Sequence, residues 1–123
     1  MSKDLEQNFP DLIKQIVEGM EDIKAHGITV MDMRELENSV TDFFVICQGT
    51  STTQVKSISD AIEKRVREEL DDRPWHIEGE AESNWVLLDY VSAVAHVFLD
   101  DQRKFYDLEG LWGDAQTTVL SKD

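Results

Sequence analysis

The stretch "TDFFVICQGTSTTQV", residues 41–55, holds an unbroken apolar run from Phe43 to Cys47, followed by Gln48, Gly49 and a cluster of hydroxyl side chains. A strand with one wet face alternates apolar and polar residues. A strand without alternation needs cover on both faces, so this run predicts a central strand with helices on both sides of its sheet. The hydroxyl cluster then starts a helix. Ser51 caps it, and Gln54, three residues on, reaches back to complete a capping box. Val55, Ile58, Ile62, Val66 and Leu70 form its buried stripe, while Asp60 with Lys64 and Glu63 with Arg67 are surface pairs worth about 0.2 to 0.5 kcal/mol each.

Upstream, Pro10 suits the first turn of a helix, and Leu12, Ile13, Ile16, Val17, Met20 and Ile23 recur at helical spacing to about Ala25, where His26 and Gly27 end it. "ITVMDM" (28–33) is a first strand and "RELENSV" (34–40) a polar bridge. Downstream, "DDRP" breaks the long helix. "WHIE" (75–78), "NWVLLDY" (84–90) and "AVAHVFL" (93–99) are three short strands, and Asp100 is placed to cap a final helix through "QRKFYDLEGLW". The last stretch, "GDAQTTVLSKD" (113–123), is polar and expected to fray. The order predicts an α/β or α+β fold, a mixed sheet of about five strands with helices packed on both faces. One domain spans 1–115, with a polar tail at 116–123.

Twenty-six acidic residues against 12 basic ones give a formal net charge of −14. Such a field repels phosphate, so direct reading of nucleic acid or an anionic membrane is disfavoured, and a basic protein is favoured as partner. The charge also serves solubility. Neither a secretory signal nor a transit peptide is recognisable in "MSKDLEQNFPDL", and no apolar run approaches the roughly 20 residues that span a bilayer. A cytoplasmic protein is expected. Cys47, the lone cysteine, reads as a buried thiol.

Three constellations bear on chemistry. If β-hairpin residues 84–99 turn at Val91 and Ser92, Asp89 lies opposite Val94 and Leu87 opposite His96. Asp89 and His96 then share a face as diagonal neighbours about 7 to 8 Å apart. An acid-oriented imidazole is half of a nucleophilic relay, but no G-x-S-x-G elbow accompanies it, and an imidazole held by a carboxylate inside a sheet is the simpler reading. "CQGTST" resembles a phosphate cradle without a P-loop lysine. A metal-dependent nucleotidyltransferase would use Ser51 with Glu78 and Glu80. The three histidines, His26, His76 and His96, lack zinc-site spacing, so no metal centre built on them is expected, and no catalytic residue or cofactor is assigned.

The third constellation is aromatic: Trp85, Tyr90, Phe98, Phe105, Tyr106 and Trp112 crowd the last forty residues. Alternation places Trp85 and Leu87 with His96 and Phe98 on one face, and Val86, Leu88 and Tyr90 on the other. One face has to be core. The other either joins it beneath the final helix or presents rings of the kind enriched at interface hot spots.

"TDFFVICQGTSTTQVKSI", "NWVLLDYVSAVAHVF" and "RKFYDLEGLWGDA" together closely resemble the ribosomal silencing factor family, RsfS or Iojap-like, over roughly residues 10–115. The resemblance implies a mixed-sheet fold related in shape to nucleotidyltransferases but without their catalytic carboxylates. It further implies a translational repressor, not an enzyme, that binds ribosomal protein fourteen of the large ribosomal subunit and so blocks joining with the small subunit when nutrients are scarce. Matched by motif, the partner-binding residues are Trp85, Leu88 and Tyr90 at the centre, then His96, Phe98, Arg103, Tyr106 and Leu108. Because alternation splits Trp85 from Leu88 and Tyr90, at least one of these is expected to support the surface from beneath. A role in large-subunit assembly, and a weak homodimer using the same surface, stay open at this level.

Overall fold

A computed structural model describes residues 9–120 of the chain; residues 1–8 and 121–123, which hold the start of the N-terminal stretch and the end of the polar tail, lie outside it. The elements are α1 (Asp11–Asp22), β1 (His26–Asp32), β2 (Phe43–Gly49), α2 (Thr52–Leu70), β3 (His76–Glu78), β4 (Trp85–Asp89), β5 (Ala93–Leu99), α3 (Asp100–Tyr106), α4 (Leu108–Leu111) and β6 (Gln116–Val119). Among the described residues they build one sheet in the order β3-β4-β5-β2-β1-β6. Strands β2 and β5 run parallel and the other neighbours antiparallel. The fold is mixed α+β, with one strand more than expected.

Strand β2 lies inside the sheet and is buried on both sides, as its unbroken apolar run required. Phe43, Val45 and Cys47 enter a core shared with α1 and α2. Phe44 and Ile46 enter a second, smaller core on the opposite face with Met31, Met33, Val94 and Phe98. Cover is therefore two-sided but unequal: two long helices on one face, two short ones over part of the other. The Cys47 thiol is fully buried, and burial pushes its pKa far up, so it behaves as a small apolar group.

Helix α1 stops earlier than its spacing suggested. Lys24 takes the left-handed conformation (φ +57°), and the Ala25 N–H closes back onto the Met20 carbonyl at 3.0 Å. Gly27 (φ +61°) lies instead inside β1, where the register with β2 shifts between His26 and Thr29 as a β-bulge. The two long helices approach closely at Gly19, where a Cβ would come within 2.8 Å of the Ile62 Cα. Arg65 bridges them, donating to Asp22 at 2.9 and 3.0 Å and to Glu18 at 3.1 Å. Asp60 pairs with Lys56 rather than with the expected Lys64.

The cap of α2 forms with one change: Ser51 Oγ accepts from the Gln54 N–H at 3.1 Å, while Gln54 Oε1 accepts from the Thr50 N–H at 2.8 Å, one residue beyond the cap. Gln54 Nε2 also donates to the Ile23 carbonyl, tying this turn to the end of α1. The C-terminal stretch expected to fray contributes β6 over Gln116–Val119, paired with the open edge of β1. Its backbone pairing with β1 is something a polar sequence does not advertise.

The β4–β5 hairpin has the expected register, Leu87 opposite His96 and Asp89 opposite Val94. Its turn is strained. Val91 sits at φ +74°, and the Ser92 N–H donates to the Tyr90 carbonyl at 2.9 Å, closing a three-residue turn that is unfavourable for a β-branched residue. Strain of about 1 to 3 kcal/mol outweighs the entropic cost of glycine, about 0.5 to 1 kcal/mol. Val91→Gly is therefore expected to raise stability by about 1 kcal/mol, read as a higher urea midpoint at unchanged slope. A lower midpoint would refute the strain.

Candidate partner-binding face

On the face of the sheet that α1 and α2 leave free, Trp85, Leu87 and Asp89 of β4 alternate outward beside His96 and Phe98 of β5. Phe98 is buried and forms the floor. The Trp85 ring stacks on it with centroids 4.9 Å apart, and Tyr106 from α3 packs on Trp85 at 4.4 Å. Phe105 meets Tyr106 edge-on at 5.1 Å and is 77% exposed, while Tyr106 is 45% exposed. Trp85 and Leu87 are half-buried. The result is an aromatic shelf, rigid beneath and bare above. Rings of this kind give a partner large contact area at low entropic cost. Glu78, opposite Leu87, and Asp89 add carboxylates to the same face.

The Asp89–His96 pair considered from sequence does not form. Asp89 Oδ1 accepts from the Val91 N–H at 2.8 Å and holds the hairpin turn, while His96 Nδ1 accepts from the Trp85 indole N–H at 3.0 Å. That bond assigns the ring proton to Nε2, which is buried without a hydrogen-bond partner. The Phe44 ring packs edge-on against the imidazole at 4.6 Å. Burial lowers the His96 pKa from 6.5 to about 3, so the imidazole is neutral and acts as the acceptor that orients Trp85.

A pH dependence follows. The unfolded state takes up a proton near pH 6.5 that folded His96 refuses, so its contribution is complete above pH 6.5 and is lost progressively as pH falls towards 3. Between pH 6.5 and 5 the wild type is expected to lose stability relative to His96→Gln, with a slope difference approaching about 1.4 kcal/mol per pH unit. Parallel urea titrations at those pH values read it; equal slopes would show that His96 is not held neutral.

Of the other sequence-selected residues, Leu88 and Tyr90 point into the core beneath α2, with exposures of 0% and 6%. They support the sheet from behind and do not line the shelf. The pleat splits them from Trp85 as alternation required, and α2 decides which half is covered. Leu108 is half-buried against the second core, as is Trp112, whose ring meets Phe44 edge-on at 6.3 Å. Arg103, expected at the surface, turns inward: its side chain is 11% exposed and lies among Gly27, Thr29, Gln48 and Glu109. Asp100 does not cap α3 but accepts from Gln48 Nε2 at 3.0 Å. The final helix breaks at Asp107 (φ +46°), whose carboxylate caps α4 through the Gly110 N–H. Leu87 and Phe105 belong to the shelf but were not singled out as partner residues. Alternation pointed to Leu87, whereas nothing local marked Phe105 as outward.

The nucleotidyltransferase constellation is likewise not assembled. Ser51 Oγ is engaged in its cap. Glu78 lies on the shelf side near His76 Nε2 (3.5 Å), whereas Glu80 lies beside α2 with Asp60 and Glu63, within 3.9 Å of Lys56 Nζ.

A family model described as "Ribosomal silencing factor during starvation" (RsfS) matches residues 6–123. The chain belongs to the RsfS family. A relative named "Ribosomal silencing factor RsfS" from Halalkalibacterium halodurans is 37% identical over 110 residues, covering 89% of this chain and 92% of the relative. A crystal structure of a Chromobacterium violaceum protein superposes with a TM-score of 0.79 at 31% identity, over 89% of this chain and 90% of that one. More distantly, a mouse protein named "Mitochondrial assembly of ribosomal large subunit protein 1" is 35% identical over 78 residues, 62% of this chain and 34% of the mouse one. The RsfS match includes β6, so the edge strand lies within the family's extent. Among the described residues no helix is long and apolar enough to cross a membrane.

Proposed function

We propose that this RsfS-family chain binds the large ribosomal subunit through that subunit's ribosomal protein fourteen and, by standing where the small subunit must dock, sterically blocks subunit joining. It does so without catalysing a reaction, in the cytoplasm, as a translational repressor under nutrient limitation. The observation that carries the reading is the family match over residues 6–123. The aromatic shelf supplies a place for the contact, and the net charge of −14 favours a basic ribosomal protein over naked nucleic acid. Trp85, Leu87, Phe105 and Tyr106 form the contact, with Phe98, His96, Leu88 and Tyr90 holding it from below.

The name of the mouse relative favours a second reading, a factor for large-subunit assembly, that uses the same shelf at an earlier time. Sedimentation of purified subunits in joining conditions tests both. A fall in joined ribosomes, with the protein travelling on the large subunit, is the expected result. Co-sedimentation with unchanged joining supports assembly instead, and absence of co-sedimentation overturns both. Sedimentation equilibrium of the wild type beside Trp85→Ala reads whether two copies pair and whether the shelf is where they meet.

A further inference from the structure

Helix α3 is seven residues long and contributes no fully buried side chain, yet it carries Tyr106 and Phe105 to the shelf. A helix this short has little stability of its own. Its position therefore depends on a few contacts with the sheet, and the strongest of these is polar.

The Arg103 guanidinium has five N–H donors, and five acceptors meet them. Nη1 donates to the Gly27 carbonyl at 2.6 Å and to Gln48 Oε1 at 3.2 Å; Nη2 donates to Thr29 Oγ1 at 3.1 Å and to Glu109 Oε2 at 3.0 Å; Nε donates to Glu109 Oε1 at 3.2 Å. The fork thus ties α3 to β1, β2 and α4 at one point. The bulge in β1 is shaped for it, because a Cβ at Gly27 would collide with Nη1.

We propose that Arg103, seated in the Gly27 bulge, is the positioning residue that holds α3 over the sheet and sets Tyr106 against Trp85, so that it governs partner binding without touching the partner. The binding half of this statement rests on the docking reading above; the positioning half does not. A lysine has the charge but not the fork, and cannot span the same acceptors.

The test compares Arg103→Ala, Arg103→Lys and Gly27→Ala in the full chain, by amide hydrogen exchange, by the Trp85 indole N–H resonance and by affinity for purified large subunits. In all three variants α3 is expected to lose at least tenfold in exchange protection while β2 and β5 keep theirs. The Trp85 resonance is expected to shift, and affinity to fall at least tenfold. Gly27→Ala displaces the guanidinium without removing it, and because Gly27 lies at φ +61° it also strains the bulge, so exchange in β1 is read beside that in α3. If Arg103 touched the partner directly, Arg103→Ala would weaken binding with α3 protection intact, and that result overturns the proposal. So does equal loss of protection in α3, β2 and β5, which would make the residue a general support of the fold. If the wild type does not bind large subunits, the docking reading fails, while exchange in α3 still decides the clamp.

Discussion

Trp85→Ala is expected to weaken large-subunit binding by about 2 to 4 kcal/mol, a loss of roughly 30- to 1,000-fold in affinity. The magnitude follows from the position of the ring. Trp85 lies between the buried floor of Phe98 and the exposed Tyr106, and its own N–H is already satisfied by His96, so the exposed part of the indole reaches a partner with no polar group left to desolvate. Truncation removes that surface and also leaves Tyr106 without the ring it packs on. It further leaves His96 Nδ1 without its donor, which costs about 1 to 3 kcal/mol of folding stability if the atom stays buried. Affinity must therefore be measured on variants shown to be folded, with a urea titration alongside. Trp85→Phe, which keeps a ring but loses the N–H, is expected to fall between. Wild-type affinity in folded Trp85→Ala would remove Trp85 from the contact and the shelf from the proposed function.

The second large effect separates support from contact. Leu88 is fully buried against the α1–α2 core, so Leu88→Ala is expected to cost about 2 to 5 kcal/mol of stability, from lost transfer energy and the cavity left behind. At temperatures where the variant remains folded, its affinity for large subunits is expected to stay within about threefold of wild type, roughly 0.7 kcal/mol or less. A binding loss comparable to that of Trp85→Ala, without destabilisation, would mean that Leu88 reaches the partner after all. Together the two substitutions map the pleat of β4, with odd-numbered residues expected to act on binding and even-numbered ones on folding.

The two effects fall on one strand, and its sequence shows why they were not equally legible. In "NWVLLDY" successive side chains of the strand point to opposite faces, and that pleat alone divides Trp85 and Leu87 from Leu88 and Tyr90. It does not say which side the helices cover. That is settled when α2, folded by its own stripe of Val55, Ile58, Ile62 and Val66, packs on the even-numbered side. The family resemblance matched motifs residue by residue and so grouped Leu88, Tyr90 and Arg103 with Trp85, whereas Leu88 and Tyr90 lie in the core behind the sheet and Arg103 is seated between α3 and the sheet.

The sequence by itself determined what depends on neighbours along the chain: a central β2 from an unbroken apolar run, the Ser51 cap from its hydroxyl and Gln54, and the hairpin register that sets Leu87 against His96. These are short-range consequences of side-chain period and capping chemistry. Only the tertiary structure decided the partners of polar groups and the sides of faces. Asp89 was free to bond His96 or the Val91 N–H, and the strained turn took it. Arg103 looked like a surface cation until Gly27, Thr29, Gln48 and Glu109 converged on it from three other elements. Gln116–Val119 became a strand because β1 offered an unpaired edge. Each of these outcomes rests on contacts between distant parts of the chain, whose energies no local pattern contains.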